Sequence, residues 1–233
     1  MTDIKSLTLS ELQEEMERLG EKRFRAGQIY SWLHEKLADD FQEMTNLSGA
    51  LRERLEQEYE LIRLPLVKVQ TSAQDGTSKF LFRLGDGSVI ESVLIRYHHG
   101  NSVCISSQAG CRMGCRFCAS TLDGLKRGLA PSEILDQIYQ IQKWSKGRVP
   151  NVVVMGTGEP LDNYDALLKF LKLLTGEGGL HISQRNVTVS TCGIVPRIRQ
   201  LAEEKLQITL ALSLHASSQE KRETLMPVAK KYT

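Results

Sequence analysis

The sequence predicts an α/β fold, with repeated strand–helix units of the kind that form (β/α) barrels, preceded by a small helical domain. Helical periodicity fills the first 62 residues, and strand and helix patterns alternate four times after residue 100. Repeated strand–helix units favour parallel strands with right-handed crossovers and functional groups at the carboxyl ends of the strands. We therefore divide the chain into a helical domain at 1–62, a β-hairpin linker at 63–100 and a barrel core at 101–233.

The composition is that of an ordinary globular protein. The 233 residues are 41% hydrophobic and 25% charged, with a net charge of +2. That net charge gives no argument for nucleic acid by itself. No apolar run approaches the length of a membrane span and no secretory signal opens the chain, so we expect neither a membrane protein nor a secreted one. Reduced cysteines point to the cytoplasm.

Three helices are predicted in the helical domain. The first begins at a Thr8–Glu11 capping box and ends at Gly20, and the others span about 25–37 and 48–58. The second helix has a predicted buried stripe of Ile29, Trp32, Leu33 and Leu37.

The linker contains a predicted hairpin with one unusual carboxylate. Its strands are Lys79–Leu84 and Ser88–Tyr97. Glu91 shares a strand face with Val93 and Ile95 by period-two alternation. A carboxylate on an apolar face is uncommon, so we expect Glu91 either at the sheet edge or in the chemistry of the protein.

Four strands are predicted in the barrel core, each followed by a helix. The strands are Ser102–Ser106, Asn151–Met155, Asn186–Ser190 and Gln207–Ser213, and the helices are Pro131–Ser145, about 164–174, about 196–205 and one from near Ser218. The strand Asn151–Met155 reads as buried on both faces.

Residues suited to chemistry follow each of these strands. They are the cysteine loop, Gly156–Pro160, Ser190–Gly193 and Ser213–His215. Four such endings on one rim predict an active site. Glu159 is placed to accept a hydrogen bond from a ligand's ammonium group. An isolated histidine such as His215 is usually structural. Cys192 is most simply interpreted as a thiol packed in the core.

The cysteine loop has the spacing C-x-x-x-C-x-x-C, formed by Cys111, Cys115 and Cys118. Three thiolates can hold three corners of a [4Fe–4S] cluster and leave one iron open to a substrate. A zinc site needs a fourth ligand that the loop lacks, and the odd count of five cysteines disfavours disulfides. The spacing therefore favours the cluster.

The motifs together resemble those of a known family. The cysteine loop followed by Gly156-Thr-Gly-Glu-Pro160 is similar to the radical S-adenosylmethionine (SAM) enzymes. The segments that resemble the RlmN/Cfr RNA adenine methyltransferases are Phe24–Tyr30, Met44–Leu47, Ser102–Cys111, Phe117–Ser120 and Ser213–Ala216. The resemblance covers essentially the whole chain and implies a partial radical-SAM (β/α) barrel, with the first four of six strand–helix units.

The resemblance also implies site residues. Cys111, Cys115 and Cys118 match the cluster ligands. The amino and carboxylate groups of SAM would coordinate the iron that has no cysteine ligand. The residues expected to line the SAM pocket are Gly158, Glu159, Ser190, Ser213, Leu214 and His215. Glu91 matches the family's proton acceptor. Cys104 matches a cysteine that forms a transient disulfide with a methyl-carrying cysteine.

The implied activity is methylation of adenine carbon 2 in 23S rRNA and, in some members, in tRNA. It uses two SAM molecules, a methyl-cysteine intermediate and an electron donor such as flavodoxin, in a monomeric enzyme. The basic string Lys22, Arg23 and Arg25 would contact RNA, although a solvated charged face is the more common explanation. The Cfr branch methylates carbon 8; Pro160 resembles the RlmN branch, while Thr157 departs from its usual methionine.

No cysteine follows Cys192, so the methyl-carrying cysteine has no candidate here. Pro227–Tyr232 resembles the family's mid-barrel sequence, and we expect a truncated chain that is inactive alone.

Two other classes of protein remain as hypotheses for the function. An iron–sulfur electron carrier would not cleave SAM, and a zinc-stabilised RNA-binding module would contain zinc and no cluster.

Overall fold

The computed structural model describes residues 1–98 and 100–233. Its helices are α1 Leu9–Arg18, α2 Phe24–His34, α3 Gly49–Glu58, α4 Pro131–Ser145, α5 Tyr164–Thr175, α6 Val195–Glu203 and α7 Gln219–Leu225. Its strands are β1 Thr2–Asp3, β2 Tyr59–Glu60, β3 Leu66–Thr71, β4 Ser78–Arg83, β5 Val89–Tyr97, β6 Gly100–Ile105, β7 Gln108–Gly110, β8 Leu125–Gly128, β9 Asn151–Val154, β10 Val187–Thr191 and β11 Thr209–Leu212. None of the helices in this described part has the length and apolarity needed to cross a bilayer.

The predicted helices α1 to α3 are confirmed, with one difference in length and one in burial. The Thr8 capping box is present at α1. Helix α2 ends at His34, three residues before the predicted end, because Leu37 adopts a left-handed backbone with φ 59°. Ile29 and Leu33 are buried as predicted, but Trp32 is partly exposed. The indole packs against the core, as the predicted stripe requires, but it is only partly buried.

One sheet of seven strands, here called the main sheet, organises the described residues. Its strand order is β11-β10-β9-β6-β5-β4-β3. Strands β6, β9, β10 and β11 are parallel, as predicted for strand–helix units, while β3 to β6 are antiparallel neighbours. The predicted hairpin is confirmed as β4–β5, and it extends the same sheet as the barrel strands. The division of the chain into three domains stays a prediction.

A buried ion pair joins the start of the chain to helix α4. Lys5 Nζ lies 2.7 Å from Asp136 Oδ1 and also donates to the Ile62 carbonyl oxygen. Asp136 Oδ2 accepts from the Leu64 backbone N–H at 2.7 Å. Because both charges are almost fully excluded from water, each needs these partners to remain ionised. The contact fixes the first residues and the chain before β3 against α4.

The two faces of the main sheet are different. The covered face packs under helices, and its fully buried residues are Phe80, Phe82, Ile90, Leu94, Val103, Ile105, Val152, Val154, Val187 and Val189. The open face carries the alternate residues, which the strand register places side by side: Glu91, Val93, Cys104, Val153, Thr188, Ser190 and Ala211. Strand alternation thus divides each strand between core and open surface.

One prediction about these strands is wrong, and one of the two alternatives for Glu91 is excluded. Strand β9 is not buried on both faces, because Asn151 and Val153 on the open face are partly exposed. Glu91 is neither at a sheet edge nor on a buried face. Strand β5 lies between β4 and β6, and the Glu91 side chain is 52% exposed.

Candidate active site

The loops that follow four parallel strands line one cavity of about 450 Å³. The strands are β6, β9, β10 and β11, and their carboxyl ends lie at the same edge of the main sheet. The predicted residues that line the cavity are Cys111, Cys115, Cys118, Gly158, Glu159, Ser190, Ser213, Leu214 and His215. The structure therefore brings nine of the sequence-selected residues to one site, but it leaves Glu91 and Cys104 outside the cavity lining.

The cysteine loop is shaped by glycines with left-handed backbones. Gly110 has φ 75° and Gly114 has φ 69°. A Cβ on Gly110 would stand 2.0 Å from the Gly124 carbonyl oxygen, so no other residue fits there without a shift of the backbone. The Cys111 N–H donates to this same carbonyl at 3.1 Å. The loop is thereby closed against the turn before β8.

The three thiols of the loop line one cavity, which is compatible with a cluster. Within 1–98 and 100–233, no three His, Cys, Asp or Glu residues meet closely enough to hold one metal ion. A [4Fe–4S] cube binds each thiolate through a different iron, so its ligands stand around the cube instead of converging on a point. Three thiols lining one cavity fit the cluster.

The protonation of the loop also depends on a metal. Burial raises the pKa of Cys111 and Cys115, and the nearby Cys118 and Glu159 raise both pKa values further. Thiolates so close to one another and to a carboxylate are stabilised only when positive charge is present among them. Iron bound by these cysteines would supply that charge, since a thiol that binds a metal loses its proton.

Glu159 is held rigidly at the floor of the cavity. Its carboxylate accepts from the Cys192 N–H at 2.7 Å and from the Leu161 N–H at 3.1 Å, and its own N–H donates to Gln108 Oε1 at 2.8 Å. Gly158 has φ 106°, and a Cβ there would lie 2.6 Å from Gln108 Cβ. Each carboxylate oxygen keeps a lone pair beyond its backbone partner, so it can accept from a ligand as well.

Strands β10 and β11 contribute hydroxyl groups and an imidazole. Ser190 Oγ and Ser213 Oγ lie 3.2 Å apart across the two strands. His215 has a left-handed backbone with φ 57°, and its ring centroid is 4.3 Å from that of Phe117 in the cysteine loop. The histidine therefore packs on the aromatic residue that immediately precedes Cys118.

Glu91 and Cys104 lie on the open face, away from the cavity lining. Glu91 pairs with Lys79 across β4 and β5, with 2.9 Å between carboxylate and ammonium. Cys104 pairs in register with Val93 and Val153, and burial raises the pKa of its thiol. All five cysteines, each within the described residues, are free thiols, so no disulfide is present.

The sequence predicted the helix near Ser218, but it did not reveal the contacts by which α7 and the residues after it support the cavity. Arg222 Nη2 donates to the Cys192 carbonyl at 2.7 Å, and Met226 is buried against Cys115 and Cys192. The Arg116 N–H donates to the Leu225 carbonyl at 2.9 Å. A short polar helix gives no periodic signal for such contacts, because their partners lie far away in the sequence.

Comparison with known proteins identifies the family. Residues 2–61 match the family model "Ribosomal RNA large subunit methyltransferase N-terminal domain", and residues 105–233 match "Radical SAM superfamily". A probable dual-specificity RNA methyltransferase RlmN of Lachnospira eligens is 66% identical over the whole of this chain. The chain belongs to the RlmN family of radical SAM proteins. Membership of this family implies a [4Fe–4S] cluster and SAM as cofactors.

Other relatives show the same fold and are covered by this chain to a similar share of their length. The probable dual-specificity RNA methyltransferase RlmN of Geobacillus thermodenitrificans is 53% identical over this chain, which covers 64% of that protein. The crystal structure of a radical SAM methyltransferase from Sphaerobacter thermophilus matches with a TM-score of 0.93 at 39% identity, covering 100% of this chain and 69% of the other. The prediction of a partial radical-SAM barrel is confirmed. The chain spans about two thirds of these relatives, including 67% of the Lachnospira protein.

Proposed function

We propose that this protein is part of a radical SAM methyltransferase that modifies carbon 2 of an adenine in 23S rRNA, and in tRNA as well. The observation that carries the proposal is the single cavity in which three thiols, Glu159 and two serines meet at the ends of the parallel strands. Support for an RNA substrate comes from the relatives, which are named as probable dual-specificity RNA methyltransferases.

Each residue of the cavity has a proposed role. Cys111, Cys115 and Cys118 hold the cluster, while Glu159 accepts a hydrogen bond from the ammonium group of SAM. Ser190, Ser213, Leu214 and His215 contact the rest of SAM, and the Gly158 backbone permits its close approach. When bound, the cluster and SAM together supply the 5′-deoxyadenosyl radical that an unreactive aromatic carbon requires.

Glu91 and Cys104 are proposed to act on the open face. Glu91 is the proton acceptor, and its half-exposed carboxylate is accessible to a base that enters from this side. Cys104 is the partner for a transient disulfide with the methyl-carrying cysteine. None of the five cysteines suits that carrier: three form the loop, Cys104 has this other role, and Cys192 is buried. We therefore propose that this chain cleaves SAM and does not methylate RNA by itself.

The decisive experiment uses the 233-residue chain. It is reconstituted anaerobically with iron and sulfide, reduced with dithionite and supplied with SAM, and the release of 5′-deoxyadenosine is measured. Cys115→Ala is expected to abolish both the cluster spectrum and the release. Cys192→Ala is the matched control, because it removes a buried thiol of the same cavity and should keep the cluster. Zinc in place of iron, or a cluster without SAM cleavage, would contradict the proposal.

The RNA part of the proposal has its own readout. Nucleosides from 23S rRNA and tRNA incubated with the same reaction are separated by mass spectrometry. We expect no methyladenine from this chain alone, with either dithionite or flavodoxin as the electron donor. 8-Methyladenine would favour the Cfr-type alternative, and 2-methyladenine would contradict the proposal that this chain does not methylate RNA by itself.

The remaining proposals concern partners and organisation. We propose that segment 1–62 is an RNA-contacting domain in which Lys22, Arg23 and Arg25 contact phosphate. Residues 63–100 link this domain to the core at 101–233. The enzyme is proposed to work as a monomer in the cytoplasm, where its RNA substrates are. Neutralising one cation should lower RNA affinity and reduce its dependence on salt. Sedimentation of the chain with and without RNA tests the oligomeric state.

A further inference from the structure

Helix α2 presents an exposed aromatic ring among cations at its first residue. Phe24 is 57% exposed, although large apolar side chains are usually withdrawn from water. The guanidinium carbon of Arg25 lies 4.9 Å from the centre of its ring, and Lys22 and Arg23 precede it, both exposed. Phe24 is therefore an exposed ring beside three cations, of which Arg23 pairs with Glu17 at 3.8 Å.

A second aromatic residue with a cation over its ring lies further along the same helix. Lys36 Nζ is 3.8 Å from the centre of a Trp32 ring. Trp32 packs partly against the core and remains partly exposed. Positions 25, 28 and 32 share one side of α2 by their spacing of three and four residues. The two pairs thus belong to one strip of surface.

Asn46 joins the two pairs. Its side-chain oxygen accepts from the Trp32 indole N–H at 2.6 Å, and its backbone carbonyl accepts from Arg25 Nη1 at 3.5 Å. These bonds hold the indole and the guanidinium in place. The two aromatic residues are eight positions apart in the helix, which corresponds to about 12 Å along its axis. We name Phe24, Arg25, Trp32, Lys36 and Asn46 the aromatic strip.

We propose that the aromatic strip binds unpaired bases of RNA, which stack on Phe24 and Trp32 while Arg25 and Lys36 pair with the backbone phosphates. Aromatic faces set among cations are the combination by which proteins bind single-stranded nucleic acid. A duplex hides its base faces and offers mainly phosphates and 2′-hydroxyl groups instead. The inference rests on the proposed function, which requires an RNA substrate, and it adds which surface receives the RNA and that this surface selects unpaired segments.

The charge of the strip favours RNA over another protein as its occupant. Arg25 and Lys36 lie on the strip and Lys22 lies beside it, while Arg23 already pairs with Glu17 at 3.8 Å, so the remaining cations favour a partner that carries negative charge. The apolar surface is restricted to two separated rings, which is little for a second copy of this chain to bury. A phosphate backbone with bases meets both requirements.

The test measures binding of the 233-residue chain to a fluorescein-labelled, unstructured 12-nucleotide RNA and to the same sequence in a duplex, by anisotropy. Phe24→Leu keeps an apolar side chain but removes the ring, and it should weaken single-strand binding by about 5- to 150-fold while changing duplex binding little. Phe24→Tyr keeps the ring and should restore the affinity to within about threefold. Trp32→Leu should act like Phe24→Leu, with Trp32→Phe as its rescue.

The cations are expected to behave differently from the rings. Lys36→Ala should weaken binding to both RNAs and reduce the slope of log affinity against log salt by about one. Lys172→Ala is the matched control, because it removes an equal charge from an exposed position on α5. Circular dichroism melting of each variant shows whether it is folded.

The possible results separate the inference from the proposal on which it rests. If the chain binds single-stranded RNA and the ring variants bind as well as the parent, the aromatic strip is not the site and the proposed function stands. If ring variants weaken duplex and single strand equally, selection of unpaired bases is wrong. If the chain binds neither RNA, both the strip and an RNA-contacting role for residues 1–62 are overturned.

Discussion

The two faces of the main sheet are built from the same strands, yet they have opposite properties. On the covered face, residues such as Phe80, Val103 and Val152 are completely buried. On the open face, the register aligns Glu91, Cys104 and Ser190 among small or partly exposed neighbours. The difference teaches that one face stabilises the fold while the other can carry chemistry, so the effect of a substitution should depend on the face it alters.

The largest loss of stability is expected on the covered face, for Phe80→Ala. The Phe80 ring is fully buried, stacks with Phe82 at 6.1 Å between centroids and meets Trp144 edge-on at 5.0 Å. Its removal should lower the free energy of unfolding by about 3–5 kcal/mol, measured by urea denaturation. Leu81→Ala, one residue later on the open face, is the control and should cost less than about 2 kcal/mol. Equal losses at the two positions would remove the distinction between the faces.

A buried histidine that contacts α4 should make the stability of the protein depend on pH. His34 Nδ1 lies 2.8 Å from the Tyr139 hydroxyl, and burial lowers the pKa of His34 from 6.5 to about 3. Because the unfolded chain binds the proton first, stability is complete above pH 6.5 and falls as the pH drops toward 3, by on the order of 5 kcal/mol.

The measurement is the free energy of unfolding between pH 4 and pH 7. His34→Gln removes the titrating group and should flatten this dependence. His181→Gln, at an exposed position, should leave the dependence as it is in the parent. A parent protein with no loss of stability over this range would contradict the assignment of His34 as a neutral core residue.

The limits of sequence reasoning follow from the same comparison. Period-two alternation correctly grouped Glu91 with Val93 and Ile95, but alternation cannot tell which face the helices will cover. The cysteine loop and Glu159 could be predicted because their spacing is local. Arg222 could not, since its contact with Cys192 joins positions thirty residues apart. Periodicity likewise placed Trp32 in the core because it records apolarity and not accessibility.

A smaller effect is expected for Ser190→Ala at the edge of the open face. The variant loses a hydroxyl contact of 3.2 Å with Ser213, which should lower stability by about 1 kcal/mol. If Ser190 contacts SAM, the dissociation constant of SAM, measured by equilibrium dialysis on the reconstituted chain, should rise about 5- to 10-fold. Thr188→Ala, two residues earlier on the same face and outside the cavity lining, should not change it. Equal effects of the two variants would mean that the cavity does not hold SAM through Ser190.

The smallest change in stability is expected for Glu91→Gln. Glu91 and Lys79 form a pair in which each side chain is about half exposed, so water and salt screen most of its energy. The variant should therefore alter the free energy of unfolding by less than about 1 kcal/mol, and Lys79→Met by a similar amount. Because Glu91 does not line the cavity, release of 5′-deoxyadenosine should stay at the parent rate. A loss of SAM cleavage in Glu91→Gln alone would place this carboxylate in the SAM site instead of at the RNA base, whereas a large loss of stability would make the open face part of the core.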